Sequence, residues 1–271
     1  MENAPLENVQ DCIYSIIVEF DRICRKHNIK YSMEGGTLMG AVKYRNYVPW
    51  DDDIDVVMVR GEYEKLLKIA PFELSDKFFL QSYNNVPSFP LNYAKLCYND
   101  SKIYDYDYTH IKTMNHGVFM DIFPLDEVKP EKLKRHCSFV GVLTGARKVK
   151  LRIKLGELGT KRMIIYRALS ILPMKLLCHL VTKACTFYNG KSTGYTYEVC
   201  NSNRKFKPLE SSIYENLTEL QFRDKKFMAI SEYDKFLKSR FGDDYMESLP
   251  KEEERRPSHN RNIVIGKQVD I

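Results

Sequence analysis

The chain has 271 residues, of which 44% are hydrophobic and 29% charged, with 13 Gly and 11 Pro. That composition excludes disorder, collagen-like repeats and low-complexity sequence, and a chain this long buries roughly 70–75% of its unfolded surface without a disulfide or metal staple. The net charge of +6 is local: ten Lys or Arg stand between Gly145 and Cys185 against one acid, Glu157, so that stretch is +9 and the remainder −3. An acidic body with one basic block suggests a surface patch for an anionic partner, and no nucleic-acid-reading module is seen. The seven cysteines are odd in number and form no CxxC pair, so reduced, mostly buried thiols are expected. The opening residues, MENAPLENVQ, carry no apolar run, and no stretch of about eighteen apolar residues follows, which predicts a cytoplasmic protein with no spanning helix.

From Glu7 to His27 apolar residues recur every three or four positions, predicting an amphipathic helix of about five turns. Ile29 to Met33 alternates like a short strand that stops at Gly35-Gly36. Thr37 to Tyr44 reads as a short helix, and Asn46 to Pro49 as a turn. Asp53 to Val59 is strand-like and Tyr63 to Ile69 helical. Phe78 to Thr113, rich in Tyr and Asn, suggests short strands and loops. Gly117 to Pro124 is an apolar strand that Pro124 should end, and the pattern beyond Pro130 is helical to about Tyr188. A last helix over Ser231–Phe241 closes at Gly242. This order predicts an α/β (α+β) core: a small mixed sheet with flanking helices, plus a mainly helical second half.

Two features carry chemistry. In a strand, Asp53 and Asp55 share a face about 7 Å apart, where paired carboxylates repel unless a cation neutralises them. Oxygen-only ligands at that spacing suit Mg²⁺ or Mn²⁺. Asp121 lies inside another apolar strand, where an acid is expensive without a metal, a cation or solvent. If the two strands are neighbours, three carboxylates converge, as in metal-assisted phosphoryl transfer. The second feature is Gly35-Gly36-Thr37, whose glycines would let backbone amides approach a phosphate at a helix start. Asp51 reads as a group that supports a metal ligand or as a base, Asp52 as facing away, Trp50 as a packing anchor ahead of a base-stacking residue, and Glu34 equally as a site residue or an exposed turn residue.

Tyr31 to Lys43 followed by Val48-Pro49-Trp50-Asp51-Asp52-Asp53-Ile54-Asp55-Val56 resembles the LicD family of phosphocholine transferases, a signature the fukutin-related proteins share. The likeness continues over Gly117–Asp126 and returns weakly over Tyr233–Met246, with Pro250 and His259. It implies a nucleotidyltransferase-like fold and transfer of a phospho-alcohol, phosphocholine or a phospho-polyol, from a CDP-activated alcohol donor to a glycan or glycolipid acceptor. Such acceptors include lipopolysaccharide or teichoic acid precursors. It implies Asp53, Asp55 and Asp121 as catalytic metal acids, and Gly35, Gly36 and Thr37 as the phosphate cradle. Lys43, Asp51 and Lys95 would join the donor site. Phe222-Arg223-Asp224 stands where relatives usually have Phe-Glu-Gly. The rivals are a nucleotidyltransferase that uses a nucleoside triphosphate and a non-catalytic member of the same fold.

The likeness divides the chain into a catalytic core over 1–128, a variable basic helical insertion over 129–215, and a segment over 216–271 that completes the core. Within the insertion, Arg147, Lys148, Lys150, Arg152, Lys154, Lys161, Arg162 and Arg167 flank the apolar run Met163–Leu177. Two readings fit. The block is either a helical hairpin packed on the body with solvated lysines, or an acceptor or membrane patch lying on an anionic inner membrane face.

Overall fold

The computed structural model describes residues 3–104, 108–156, 158–201, 207–249 and 262–266. Helix α1 (Leu6–Lys26) buries Val9, Ile13, Ile16, Ile17, Phe20 and Ile23 along one stripe. Then follow β1 (Ser32–Met33), α2 (Gly35–Tyr44), β2 (Asp55–Val59), α3 (Arg60–Glu73), β3 (Phe78–Gln81), β4 (Ala94–Tyr98), β5 (Ser101–Ile103) and β6 (Phe119–Glu127). The helical stretch is α4 (Leu133–Lys150), α5 (Thr160–Leu169) and α6 (Met174–Cys185). Short strands β7 (Tyr195–Tyr197) and β8 (Leu209–Glu210) lead to a hairpin, β9 (Leu217–Phe222) and β10 (Lys225–Ile230). Helix α7 (Tyr233–Phe241) and β11 (Ile263–Ile265) complete the described chain.

The main sheet is mixed and seven-stranded, in the order β1-β2-β6-β4-β3, with β7 joining the far end of β6 and β8 joining β7. Strands β2 and β6 run parallel, so Asp55 stands opposite Asp121 and Val57 opposite Phe123. Strand β4 lies antiparallel on the other side of β6, with Lys95 opposite Asp121. The fold is therefore α+β, as expected.

One core gathers α1, the sheet, α2 and α3 with Phe222, Phe227, Phe236 and Leu237 from the chain's last third. A smaller cluster joins α4 and α6 through Cys137, Val140, Leu143 and Val181. The seven cysteines are free and buried. Among the described residues no single helix is long and apolar enough to cross a membrane, though α5 and the helical run Met174–Tyr188 pass that test as a pair bent by 116°.

Three expectations shift. Strand β6 continues through Pro124 to Glu127. Beyond Ile122 its β4 neighbour has ended, so the missing Pro124 amide lies where no ladder needs it. Asp53 precedes β2 instead of lying inside it. The Phe222-Arg223-Asp224 segment is a structural turn: Phe222 pairs Lys225, leaving Arg223 and Asp224 as a two-residue hairpin loop. Arg223 takes φ +54, the conformation a glycine adopts without cost. Contacts offset that cost here, because the guanidinium sits over the Tyr14 and Tyr47 rings and its Nη1 donates to Asp11 Oδ1 at 2.6 Å.

Candidate active site

The chain between α2 and β2 is held by a ladder of backbone contacts centred on Asp55. Its amide donates to Thr37 Oγ1 at 2.9 Å, its carbonyl accepts from the Glu34 amide at 3.0 Å, and the Ile54 carbonyl accepts from the Asp121 amide at 3.0 Å. Thr37, buried to 3% exposure, thus spends its oxygen on positioning Asp55. Helix α2 starts at Gly35, whose φ of +50 turns the chain out of β1. At Gly36 an added Cβ would lie 2.7 Å from Asp51 Oδ2, so the Asp51 carboxylate stands against the helix start. A helix N-terminus favours negative oxygen there.

Five carboxylates converge at this point. Burial, then the charges of Asp53, Asp121, Glu198 and Asp51, push the Asp55 carboxyl well above the usual carboxylate range. Burial also raises Glu34 and Glu198, the former also through the charge of Glu198, and Arg240 opposes both rises. Glu34 is buried at 7% exposure, with Oε1 3.9 Å from Arg240 Nη2 and Oε2 without a hydrogen-bond partner. Glu34 is therefore a buried acid behind the site, not an exposed turn residue. Asp52 is likewise buried, at 8% exposure. Neither Glu198 nor Arg240 carries a sequence signal, because each reaches the site through the fold.

The basic candidates separate. Lys95, 3% exposed, puts Nζ 2.5 Å from Asp121 Oδ1 and over the Phe119 ring. Its adjacency to Asp121 follows directly from the β4–β6 register. Lys43 Nζ donates to the carbonyls of Ser248 at 2.8 Å and Tyr245 at 3.2 Å, tying the chain after α7 to α2. It lines a cleft of about 400 Å³ with Gly36, Tyr44, Trp50 and Asp51, so Trp50 borders open space. A second cleft of about 410 Å³, between the segment preceding β4 and helix α4, is walled by Asn92, Tyr93, Lys148 and Tyr166. Tyr93 links it to the acids, its ring 4.4 Å from Phe123 and within 5.8 Å of Lys95 Nζ.

Arg147 does not belong to a surface patch. It is fully buried: Nη1 donates to Asn92 Oδ1 at 2.6 Å, Nη2 to the Phe89 carbonyl at 2.5 Å, and the guanidinium covers the Tyr83 ring. Its place on the inner face of α4 decides this, since two buried acceptors there need a donor. Lys148 is half-buried, whereas Lys150, Arg152, Lys154, Lys161, Arg162 and Arg167 are exposed. His259 and Pro250 lie outside the described residues.

Among the described residues no three His, Cys, Asp or Glu side chains stand as a ready-made metal cage. The donor set still fits a hard divalent ion: oxygen ligands only, crowded like charges, and a half-buried Asp55 whose carboxyl is raised by burial and by its acidic neighbours. A glycine-led helix stands beside facing carboxylates on parallel strands, an arrangement that matches the nucleotidyltransferase domains among known families. Residues 28–140 match the family model LicD/FKTN/FKRP, nucleotidyltransferase domain. Along 98% of its length the chain is 27% identical to the lipopolysaccharide cholinephosphotransferase LicD of Haemophilus influenzae, all of which is covered. Two uncharacterized proteins, from Rickettsia prowazekii and Rickettsia typhi, match 59 residues at 36% and 34% identity, 22% of this chain and 22% and 19% of theirs. The likeness to the LicD family's nucleotidyltransferase domain thus lies over residues 28–140.

Proposed function

We propose that the protein transfers a phospho-alcohol, phosphocholine or a close analogue, from a CDP-activated donor to a hydroxyl of a cell-surface glycan or its lipid-linked precursor. The observation that carries this reading is the β2–β6 register, which sets Asp55 opposite Asp121 beside the start of α2. The end-to-end alignment with a lipopolysaccharide cholinephosphotransferase supports it.

Asp53 and Asp55 would hold Mg²⁺ or Mn²⁺, which when bound neutralises the crowded acids and polarises phosphoryl oxygen. The amides at Gly35 and Gly36 would meet the donor's phosphates, and Lys95 adds a fixed positive charge beside them. The cleft at Gly36 suits the nucleoside, with Trp50 and Tyr44 offering aromatic faces. The cleft at Tyr93 and Lys148 suits the acceptor. In the transfer, the acceptor's hydroxyl oxygen bonds to the phosphorus that carries the alcohol, and the bond from that phosphorus to CMP breaks. Asp121 stands where it would take the hydroxyl proton or complete the ligand set. A lipid-linked acceptor would be met at the inner membrane face.

The test is incubation with Mg²⁺ and a panel of CDP-alcohols, following CMP by chromatography, with Asp53→Ala alongside. Metal-dependent CMP release that the variant loses is expected. Pyrophosphate release from a nucleoside triphosphate, with no CMP from any donor, would replace this reading with nucleotidyl transfer.

A further inference from the structure

Helices α5 and α6 meet at a corner whose outer side covers nothing in the described chain. Ile171 in the connecting turn is 82% exposed, Ile164 62% and Ile165 47%, and Leu176 opens α6 at 41%. At about 100° per residue, Lys161, Ile164, Ile165 and Ala168 share the outward stripe of α5, and Arg162 and Arg167 border it on opposite sides. Lys175 stands beside Leu176 and is exposed. The inner side is firmly seated. The Tyr166 ring packs so closely on Gly145 of α4 that an added Cβ would meet it at 2.6 Å, and Lys150 Nζ donates to the Ser170 carbonyl at 2.9 Å. The isoleucines are thus presented by a packed corner.

We propose that this corner docks the protein on an anionic lipid surface, with Ile164, Ile165, Ile171 and Leu176 entering the boundary between headgroups and acyl chains and the flanking cations meeting lipid phosphates. Charge selects this occupant. From Leu158 to Tyr197 the chain has no Asp or Glu, so a second copy seated on the same face would set cations against cations. An apolar stripe with cations on both sides is the pattern of a helix that lies in a membrane interface. The bend of 116° turns the pair into a wedge whose apolar tip is Ile171, rather than a straight span. The inference stands apart from the transfer reading, since it depends on no feature of the acid site.

Co-sedimentation with sucrose-loaded vesicles tests it, comparing phosphatidylcholine alone with a phosphatidylcholine–phosphatidylglycerol mixture at low and high salt. The full chain should pellet with the mixed vesicles at low salt and stay largely in solution with phosphatidylcholine. Removing each cation (Arg162→Ser, Arg167→Ser) should weaken partition about fivefold. The pair Ile164→Ser and Ile171→Ser should weaken it at unchanged charge and unchanged melting temperature, because both side chains are exposed. Three results would overturn the proposal: wild-type protein that stays in solution with anionic vesicles, an isoleucine pair that pellets as well as wild type, or vesicle-free self-association that the isoleucine pair abolishes. Sedimentation that holds while CMP release fails would leave the docking intact and sink only the transfer reading.

Discussion

A carboxylate at the first position of a buried strand, facing four others, is a liability to the fold that a proton or a cation relieves. Asp55 is that residue, pinned through Thr37 and Glu34 so that its side chain cannot retreat from Asp53 and Asp121. Asp55→Asn keeps the shape and removes the charge. CMP release should fall at least about a thousandfold, as expected when an interaction with the reacting phosphates is lost. Unfolding free energy of the metal-free protein should stay level or rise by about 1 kcal/mol, because like-charge repulsion goes with the charge. Steady-state kinetics beside a urea titration reads both. A variant that loses activity and also several kcal/mol of stability would mark Asp55 as structural.

Elements, rather than single residues, decide which basic side chains face outward. Arg147 lies on the inner side of α4, where it bridges Asn92 and the Phe89 carbonyl over Tyr83 and so ties the helical block to the loop that precedes β4. Arg147→Met preserves bulk but orphans both acceptors, and should cost about 2–3 kcal/mol in urea unfolding without weakening vesicle binding. Lys154→Met, on an exposed stretch, should cost under about 0.5 kcal/mol. The contrast shows what the sequence could reveal. Periodicity located α1 and α7, and the acids stood out because DDDID leads into an apolar strand after Gly-Gly-Thr, with a third acid, Asp121, inside another apolar strand. Arg147 read as surface because Arg is almost always exposed, and only the packing of α4 says otherwise. The β9–β10 hairpin was illegible for a related reason: its turn is Arg223-Asp224, which lacks the Asn-Gly or Asp-Gly signal, and its positive φ is supported by tertiary contacts with Tyr14, Tyr47 and Asp11. Glu198 stands in a segment with no pattern of its own, Arg240 on a helix whose pattern names no partner for it, and the fold alone carries them to Asp55 and Glu34.

At the scale of the whole molecule, the raised carboxyls of the acid site couple global stability to pH. The folded chain raises Asp55 above its ordinary 3.8, and Glu34 and Glu198 above their ordinary 4.5, each through burial first. A carboxyl raised on folding holds its proton more tightly in the folded state. Its contribution to stability is complete below the unfolded value and is lost as pH rises through the folded one. The metal-free protein should therefore lose melting temperature as pH rises above the ordinary carboxylate range, and Asp55→Asn should lose less. The divalent ion proposed for this site would bind the ionised acids, so the stabilisation it brings should run the opposite way and grow with pH. At a hundredfold excess over its dissociation constant, Mg²⁺ should raise the melting temperature by about 5 °C or more near pH 8 and by little near pH 5. Calorimetry of wild type and Asp55→Asn, each with Mg²⁺ and with EDTA, measures the four curves. An Mg²⁺ shift of equal size at both pH values, or one that persists in Asp55→Asn, would remove the buried carboxylates from the metal site and leave their convergence without a cation to explain it.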